Sequence, residues 1–305
     1  LAHTLEPGTH TNITESPAKT CKLCGHTQFK VLFDREFQVL VCRNCGLIFL
    51  EDNHRDYRKY YSDEYDYRSD EGGYFTEKGK DNQAISKWII KHLPKTGNTT
   101  LVEMGCGAGF LLKRLKDYGV EVSGIEPGKK AVEFARRING IRDIECCMLE
   151  DIEETDRLYD AVILIQTFEH FADPLNSLLT IRGLLKRGGL LFIEVPNYYS
   201  PNGFYPFRFE GINYPSRNHL FVYSRETLGA FLRKAGFSVY RTSYTLQNIR
   251  MIARVDGDNE KVEFKGCHKV MAFYYVLPII TKAIDAFRFF KGKLMRILEG
   301  SQAGL

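Results

Sequence analysis

Four cysteines constrain this chain more than any other feature. They fall in two knuckles, Cys21-Lys22-Leu23-Cys24-Gly25 and Cys42-Arg43-Asn44-Cys45-Gly46, with the spacing C-x2-C-x17-C-x2-C. Each knuckle lets two sulfurs face one point, and the glycine after the second cysteine relieves the tight backbone. Four converging thiolates close a tetrahedral shell around Zn2+ and leave no open position, so the expected ion at Cys21, Cys24, Cys42 and Cys45 is structural. Iron in a four-thiolate site uses the same knuckles and is the alternative metal. Between the knuckles, Phe29 to Val41 alternates in part and suits a short hairpin. A ribbon of about 30 residues has too little core to fold alone, so metal binding supplies its folding energy.

The second informative feature is Val102-Glu103-Met104-Gly105-Cys106-Gly107-Ala108-Gly109. Thr99 to Met104 reads as a buried strand, the glycines as a sharp turn, and Phe110 to Tyr118 as a helix stopped by Gly119. Val120 to Ile125 reads as the next strand and ends on Glu126, 21 residues after Gly105. Glycines at such a corner let the backbone approach a cofactor, and an acid at that distance suits ribose hydroxyls. A dinucleotide fingerprint would need glycine where Phe110 stands, so NAD is disfavoured.

These pieces belong to a longer ordered series. Gly124-Ile125-Glu126-Pro127 is followed by Met148-Leu149-Glu150-Asp151, by Tyr159 to His170, and by Leu185 to Pro196. The series resembles the class I S-adenosylmethionine-dependent methyltransferases, here with an N-terminal zinc ribbon. The resemblance implies an α/β Rossmann-like sheet, mostly parallel, with one antiparallel edge strand. It implies that Glu103 and the loop Gly105, Cys106, Gly107 and Gly109 hold the methionine part of S-adenosylmethionine. Glu126, with Pro127 beside it, would grip the ribose; Leu149 and Glu150 would hold the adenine; Gln166 would line the pocket.

Domain boundaries follow. Residues 1–17 read as a disordered polar tail, 18–50 as the ribbon, 51–98 as a helical linker or lid, 99–256 as the cofactor domain and 257–305 as a helical C-terminal segment. The stretch from Asp56 to Phe75 is rich in tyrosine and acid. It reads either as a lid that packs aromatics over the cofactor domain or as a plain solvated connector. The insertion 196–223 carries nine aromatic residues and three internal prolines, Pro201, Pro206 and Pro215. It is expected to roof the substrate. Ser224 suits a helix N-cap, and Phe237 to Tyr244 with Gln247 to Val255 suits a closing hairpin.

Methyl transfer needs alignment and often a base, which favours histidine. His170 and His219 are the candidates, and a structural role as hydrogen-bonded pocket histidines is the competing reading of each. The layout also resembles sugar C-methyltransferases of deoxysugar pathways, which carry Tyr-His-Glu-His-Leu where this chain has Ser216-Arg217-Asn218-His219-Leu220. The tyrosine and carboxylate are missing, so a hydroxyl of a sugar or glycan is the expected acceptor. An RNA methyltransferase and a non-catalytic cofactor-binding scaffold are the further alternatives.

Charge bears on the partners. The net charge is +4, and the segment from Gly266 onward accounts for all of it with six basic and two acidic side chains. A balanced remainder argues against nucleic acid. In 279–298, apolar residues at helical spacing alternate with Lys282, Lys293 and Arg296. Such a helix suits an anionic membrane surface, the domain itself, or a second copy of the chain. The longest apolar run, Val270 to Ile280, is 11 residues, against about 20 for a span. No signal peptide is read in Leu1 to Pro17, and paired knuckles suit a reducing compartment, so a cytoplasmic location is expected, with peripheral contact at the inner membrane face as a further possibility.

Overall fold

The computed structural model describes residues 19–34, 37–51, 56–64, 74–94, 97–152, 156–197, 218–245 and 247–255. The expected tail, most of the aromatic insertion (198–217) and the C-terminal segment lie outside the described residues.

The N-terminal part forms β1 (Phe29–Asp34), β2 (Gln38–Cys42) and β3 (Ile48–Glu51), all antiparallel neighbours. The expected hairpin is therefore β1–β2. A short helix α1 (Tyr57–Lys59) continues into one π-turn, Tyr60–Glu64, and the long helix α2 (Tyr74–His92) follows. Asp56 starts α1 by accepting from the Lys59 N–H at 3.1 Å.

The larger part alternates strand and helix. Its elements are β4 (Thr100–Met104), α3 (Phe110–Asp117), β5 (Glu121–Ile125), α4 (Lys129–Arg137), β6 (Ile144–Glu145), β7 (Tyr159–Ile165), α5 (Pro174–Gly183) and β8 (Leu185–Pro196). The last residues of the insertion form β9 (Phe221–Val222), and α6 (Arg225–Lys234), β10 (Phe237–Tyr244) and β11 (Asn248–Val255) follow it. The seven-stranded sheet runs β10-β11-β8-β7-β4-β5-β6. Its β6, β5, β4, β7 and β8 are parallel, and β11 reverses against both β8 and β10. This is the expected mostly parallel sheet with its reversed strand toward one edge.

The strands read as they pack. Val162, Ile163 and Leu164 of β7 and Leu191, Phe192 and Ile193 of β8 are wholly buried, as central parallel strands covered on both faces require. Ser224 caps α6 through a reciprocal pair with Thr227, its hydroxyl accepting from the Thr227 N–H at 3.2 Å.

The ribbon is not a free-standing bead. Its four-stranded sheet is completed by β9 at the end of the insertion, which pairs Ile48 with Val222 and Phe49 with Phe221. The Leu50 N–H donates to the Leu220 carbonyl at 2.8 Å, and Lys234 Nζ on α6 donates to the Leu23 carbonyl at 2.6 Å. Leu23, Leu47 and Leu50 share one apolar core with Phe168, Phe221, Tyr223 and Phe231. A small module that cannot bury enough area alone thus borrows core from its neighbour.

Candidate functional site

The geometry of the metal centre is local to its two knuckles. The Gly25 N–H donates to the Cys21 carbonyl at 2.8 Å and the Gly46 N–H to the Cys42 carbonyl at 3.0 Å, closing each knuckle. Both glycines are left-handed, with φ of 72° and 77°, where a Cβ would be strained. Sγ of Cys21 lies 3.5 Å from Sγ of Cys45, and Sγ of Cys24 lies 3.5 Å from Sγ of Cys42. All four sulfurs fall within 4.8 Å of one another, mostly buried. The donor set and spacing fit a tetrahedral Zn2+, whose charge holds all four as thiolates.

The second site lies where β4, β5 and β7 end. Gly105 has a φ of 69°, and a Cβ there would sit 2.6 Å from Cγ2 of Thr167. Only glycine fits such a cradle. The Gly105 N–H donates to the Ile125 carbonyl at 2.8 Å and ties the corner to β5. Glu126 is 3 % exposed, and its carboxylate accepts from the N–H groups of Gly107 and Gly128, each at 2.8 Å. It therefore also clamps the glycine loop, a duty the sequence did not announce. A carboxylate offers about four acceptor positions, so the clamp is compatible with a ribose diol.

A cavity of about 290 Å³ opens at this corner. Of the expected cofactor residues, Gly105, Glu126, Pro127, Leu149, Glu150 and Gln166 line it, and His170 joins them. Glu103, Cys106, Gly107 and Gly109 are not among its lining residues: Glu103 is buried in β4, and Gly109 opens α3 in a left-handed conformation. The Cys106 side chain packs with Leu111, Leu112 and Ile144 in the core, and burial raises its thiol well above the usual range.

Gln166 is the one non-glycine residue with positive φ among the described residues, at 54°. Its N–H donates to the Glu194 carbonyl at 2.9 Å, and its Nε2 to Glu194 Oε1 at 3.3 Å. Glu194 is 1 % exposed and is held by Arg250 and by Asn248 Nδ2 at 3.0 Å. A left-handed residue costs of order 1–3 kcal/mol and persists only where its surroundings over-determine it. Here β8 and β11 do so and aim Gln166 at the cavity.

Of the remaining lining, Tyr57 and Tyr61 belong to the stretch read as a lid or connector, and Arg58 was not singled out from the sequence. Tyr57, Arg58 and Tyr61 border the cavity from α1 and its π-turn. Arg58 forks onto Asp151 through two hydrogen bonds, Nη1 to Oδ2 at 2.6 Å and Nη2 to Oδ1 at 2.8 Å. The tyrosine-rich stretch, read as lid or connector, thus contributes wall. Its aromatic density was the clue to the lid alternative, and nothing in the sequence pointed to the Arg58–Asp151 pair.

The two histidines come together. Their rings lie 4.8 Å apart between centroids at 81°. His170 Nδ1 lies 2.7 Å from the Asn218 carbonyl and 2.9 Å from the Tyr61 hydroxyl. The carbonyl only accepts, so Nδ1 carries the proton and Nε2 the lone pair. Burial holds His170 down to about 4 and, with His170 nearby, His219 down to about 3. Both are neutral at pH 7. Beside them stands Glu169, wholly buried, whose carboxyl burial raises to about 8. Neither of its oxygens has a hydrogen-bond partner among the described residues. The sequence reading named both histidines and passed over this acid.

Among known proteins, the sequence matches the family described as methyltransferase domain over residues 54–242. A tRNA U34 carboxymethyltransferase of Marinobacter nauticus is 29% identical over 159 residues, covering 50% of this chain and 48% of that protein. A ubiquinone biosynthesis O-methyltransferase of Stutzerimonas stutzeri is 29% identical over 164 residues, covering 50% of this chain and 69% of that protein. Several such relatives are matched over only about half their own length. A solved magnesium protoporphyrin IX methyltransferase of Synechocystis with bound S-adenosylmethionine aligns at a TM-score of 0.47 and 17% identity, over 68% of this chain and 100% of that one. Neither saccharides nor glycans are named by these relatives. The family match spans more than half of the chain, includes the glycine corner, and coincides with the sheet order and the cavity: the chain belongs to the S-adenosylmethionine-dependent methyltransferase domain family.

Proposed function

We propose that this chain transfers a methyl group from S-adenosylmethionine to a hydroxyl of a small molecule, with a sugar or glycan hydroxyl as the expected class. The observation that carries the reading is one cavity that joins Gly105, Glu126, Leu149, Glu150 and Gln166 to His170. Bound S-adenosylmethionine supplies a methyl group on a positively charged sulfur. The chain's own work is binding, alignment and exclusion of water. Glu126 would hold the ribose, Leu149 and Glu150 the adenine, and the Gly105 corner the methionine end. The wall from Tyr57 to Tyr61 covers the site. Two neutral histidines suit an uncharged oxygen acceptor better than an ammonium group, and either imidazole would hold the acceptor's hydroxyl by hydrogen bonding.

The test is a mass-shift screen of nucleotide sugars, glycans and phenols with S-adenosylmethionine and the purified chain. A gain of one methyl on a hydroxyl supports the reading, and a gain on nitrogen or carbon alone removes it. RNA is a second reading, favoured by the name of the Marinobacter nauticus relative and by a groove lined with Lys129, Arg136, Arg137 and Arg142. Binding of tRNA that falls steeply with salt would select it.

A further inference from the structure

Glu169, His170 and His219 form a cluster of which only His170 borders the cofactor cavity. Each offers one ligand atom, and the three atoms lie within 4.8 Å of one another. His170 Nε2 stands 4.0 Å from Glu169 Oε1, too far for a hydrogen bond and suited to a shared third atom. The Glu169 side chain is 1 % exposed with no hydrogen-bond partner for either oxygen among the described residues. A buried group left so is costly and calls for a partner.

The surroundings are those of a metal ligand set. A ligating histidine usually donates its other ring N–H to a carbonyl, which fixes the tautomer and aims the lone pair. His170 does this, with Nδ1 at 2.7 Å from the Asn218 carbonyl and Nε2 toward Glu169. Asn218 is itself anchored, its Nδ2 donating to the Tyr60 hydroxyl at 2.7 Å, and His219 is the next residue. A first-row ion bonds nitrogen and oxygen at about 2.0–2.2 Å. Two of its ligands then lie at most ~4.4 Å apart, so the cluster needs only small rotamer shifts to close.

We propose that Glu169, His170 and His219 bind a first-row divalent metal ion beside the cofactor cavity, separate from the four-cysteine centre. Two imidazoles and one carboxylate select such an ion over magnesium or calcium, which prefer all-oxygen shells. Three protein ligands leave at least one open position, as in catalytic rather than structural sites. His170 borders the cavity, so with the ion bound an acceptor oxygen would meet the ion's open position in place of the imidazole nitrogens. That last link rests on the function proposed above; ion binding itself does not.

The experiment uses Co2+ as the probe on the full chain with its four-cysteine site loaded with zinc. Wild type is expected to take up about one further equivalent of Co2+ with weak visible bands and no thiolate charge-transfer band. Glu169→Gln, which keeps the shape of the side chain, and His219→Ala should each weaken that uptake by roughly a hundredfold. Circular dichroism checks that each variant is folded, and calorimetry with S-adenosylmethionine separates the two readings. Lost cofactor binding in wild type defeats the methyltransferase proposal alone. Absence of further Co2+ uptake by wild type, uptake with thiolate bands, or undiminished uptake by folded Glu169→Gln overturns the metal site.

Discussion

Replacing Gly105 by alanine attacks the corner on which the cofactor reading stands. Two costs combine. A φ of 69° in an alanine costs about 1–2 kcal/mol by itself. The new Cβ would then lie 2.6 Å from Cγ2 and 2.8 Å from Oγ1 of Thr167. Thr167 cannot simply swing aside, because its hydroxyl donates to the Ile165 carbonyl at 3.1 Å and the residue is 9 % exposed. Overpacking of this kind adds about 1–3 kcal/mol, for a total of about 2–5 kcal/mol. Urea unfolding measures it. The companion is Gly105→Ala with Thr167→Ala: the steric part should return, leaving a coupling of about 1–3 kcal/mol between the sites. Equal stability of Gly105→Ala and wild type would refute the cradle. A full loss that Thr167→Ala does not relieve would show that something other than Thr167 closes it.

Glu126→Gln should weaken S-adenosylmethionine binding by about tenfold or more, because an amide group cannot accept from both loop N–H groups; calorimetry reads this. Chelation of the four-cysteine ion, or Cys42→Ser, should speed hydrogen exchange at Phe221 and Val222 more than about tenfold, since β9 is then paired with a ribbon that has lost its clip. Asp160 accepts from the Thr100 N–H and from Lys186 Nζ, each at 2.9 Å. Burial opposes ionisation there, but these bonds win and hold its pKa below the usual carboxylate value. The unfolded state therefore binds more protons in acid, so this stability is present above pH ~4 and is lost as pH falls through the folded pKa. Asp160→Asn should cost about 1 kcal/mol at pH 7 and show a shallower loss below pH ~4 in acid titrations.

What the sequence disclosed was local chemistry. Knuckle glycines, the Gly105 corner, the Ser224 cap and the closing hairpin all follow from constraints within a few residues. Their observed bounds, such as Thr100–Met104 and Phe237–Tyr244, lie within a residue of those expected. Contacts between distant segments left no such trace. β9 is two residues long and shows no period, so its pairing with the ribbon was invisible. Arg58 and Asp151 are 93 residues apart, and nothing in either neighbourhood names the other. Glu169 looked like any acid after a strand; only the fold shows that Phe168, Tyr223 and Phe231 form the apolar core around that segment. The ribbon's dependence on that core likewise came from packing, not from the cysteine spacing.

Titration calorimetry of the purified, zinc-loaded chain with S-adenosylmethionine and, separately, NAD bears most directly on the central claim. The account predicts one saturable event for S-adenosylmethionine, abolished or strongly weakened in Glu126→Gln, and none for NAD. Heat from NAD, or S-adenosylmethionine binding that ignores Glu126, would contradict it.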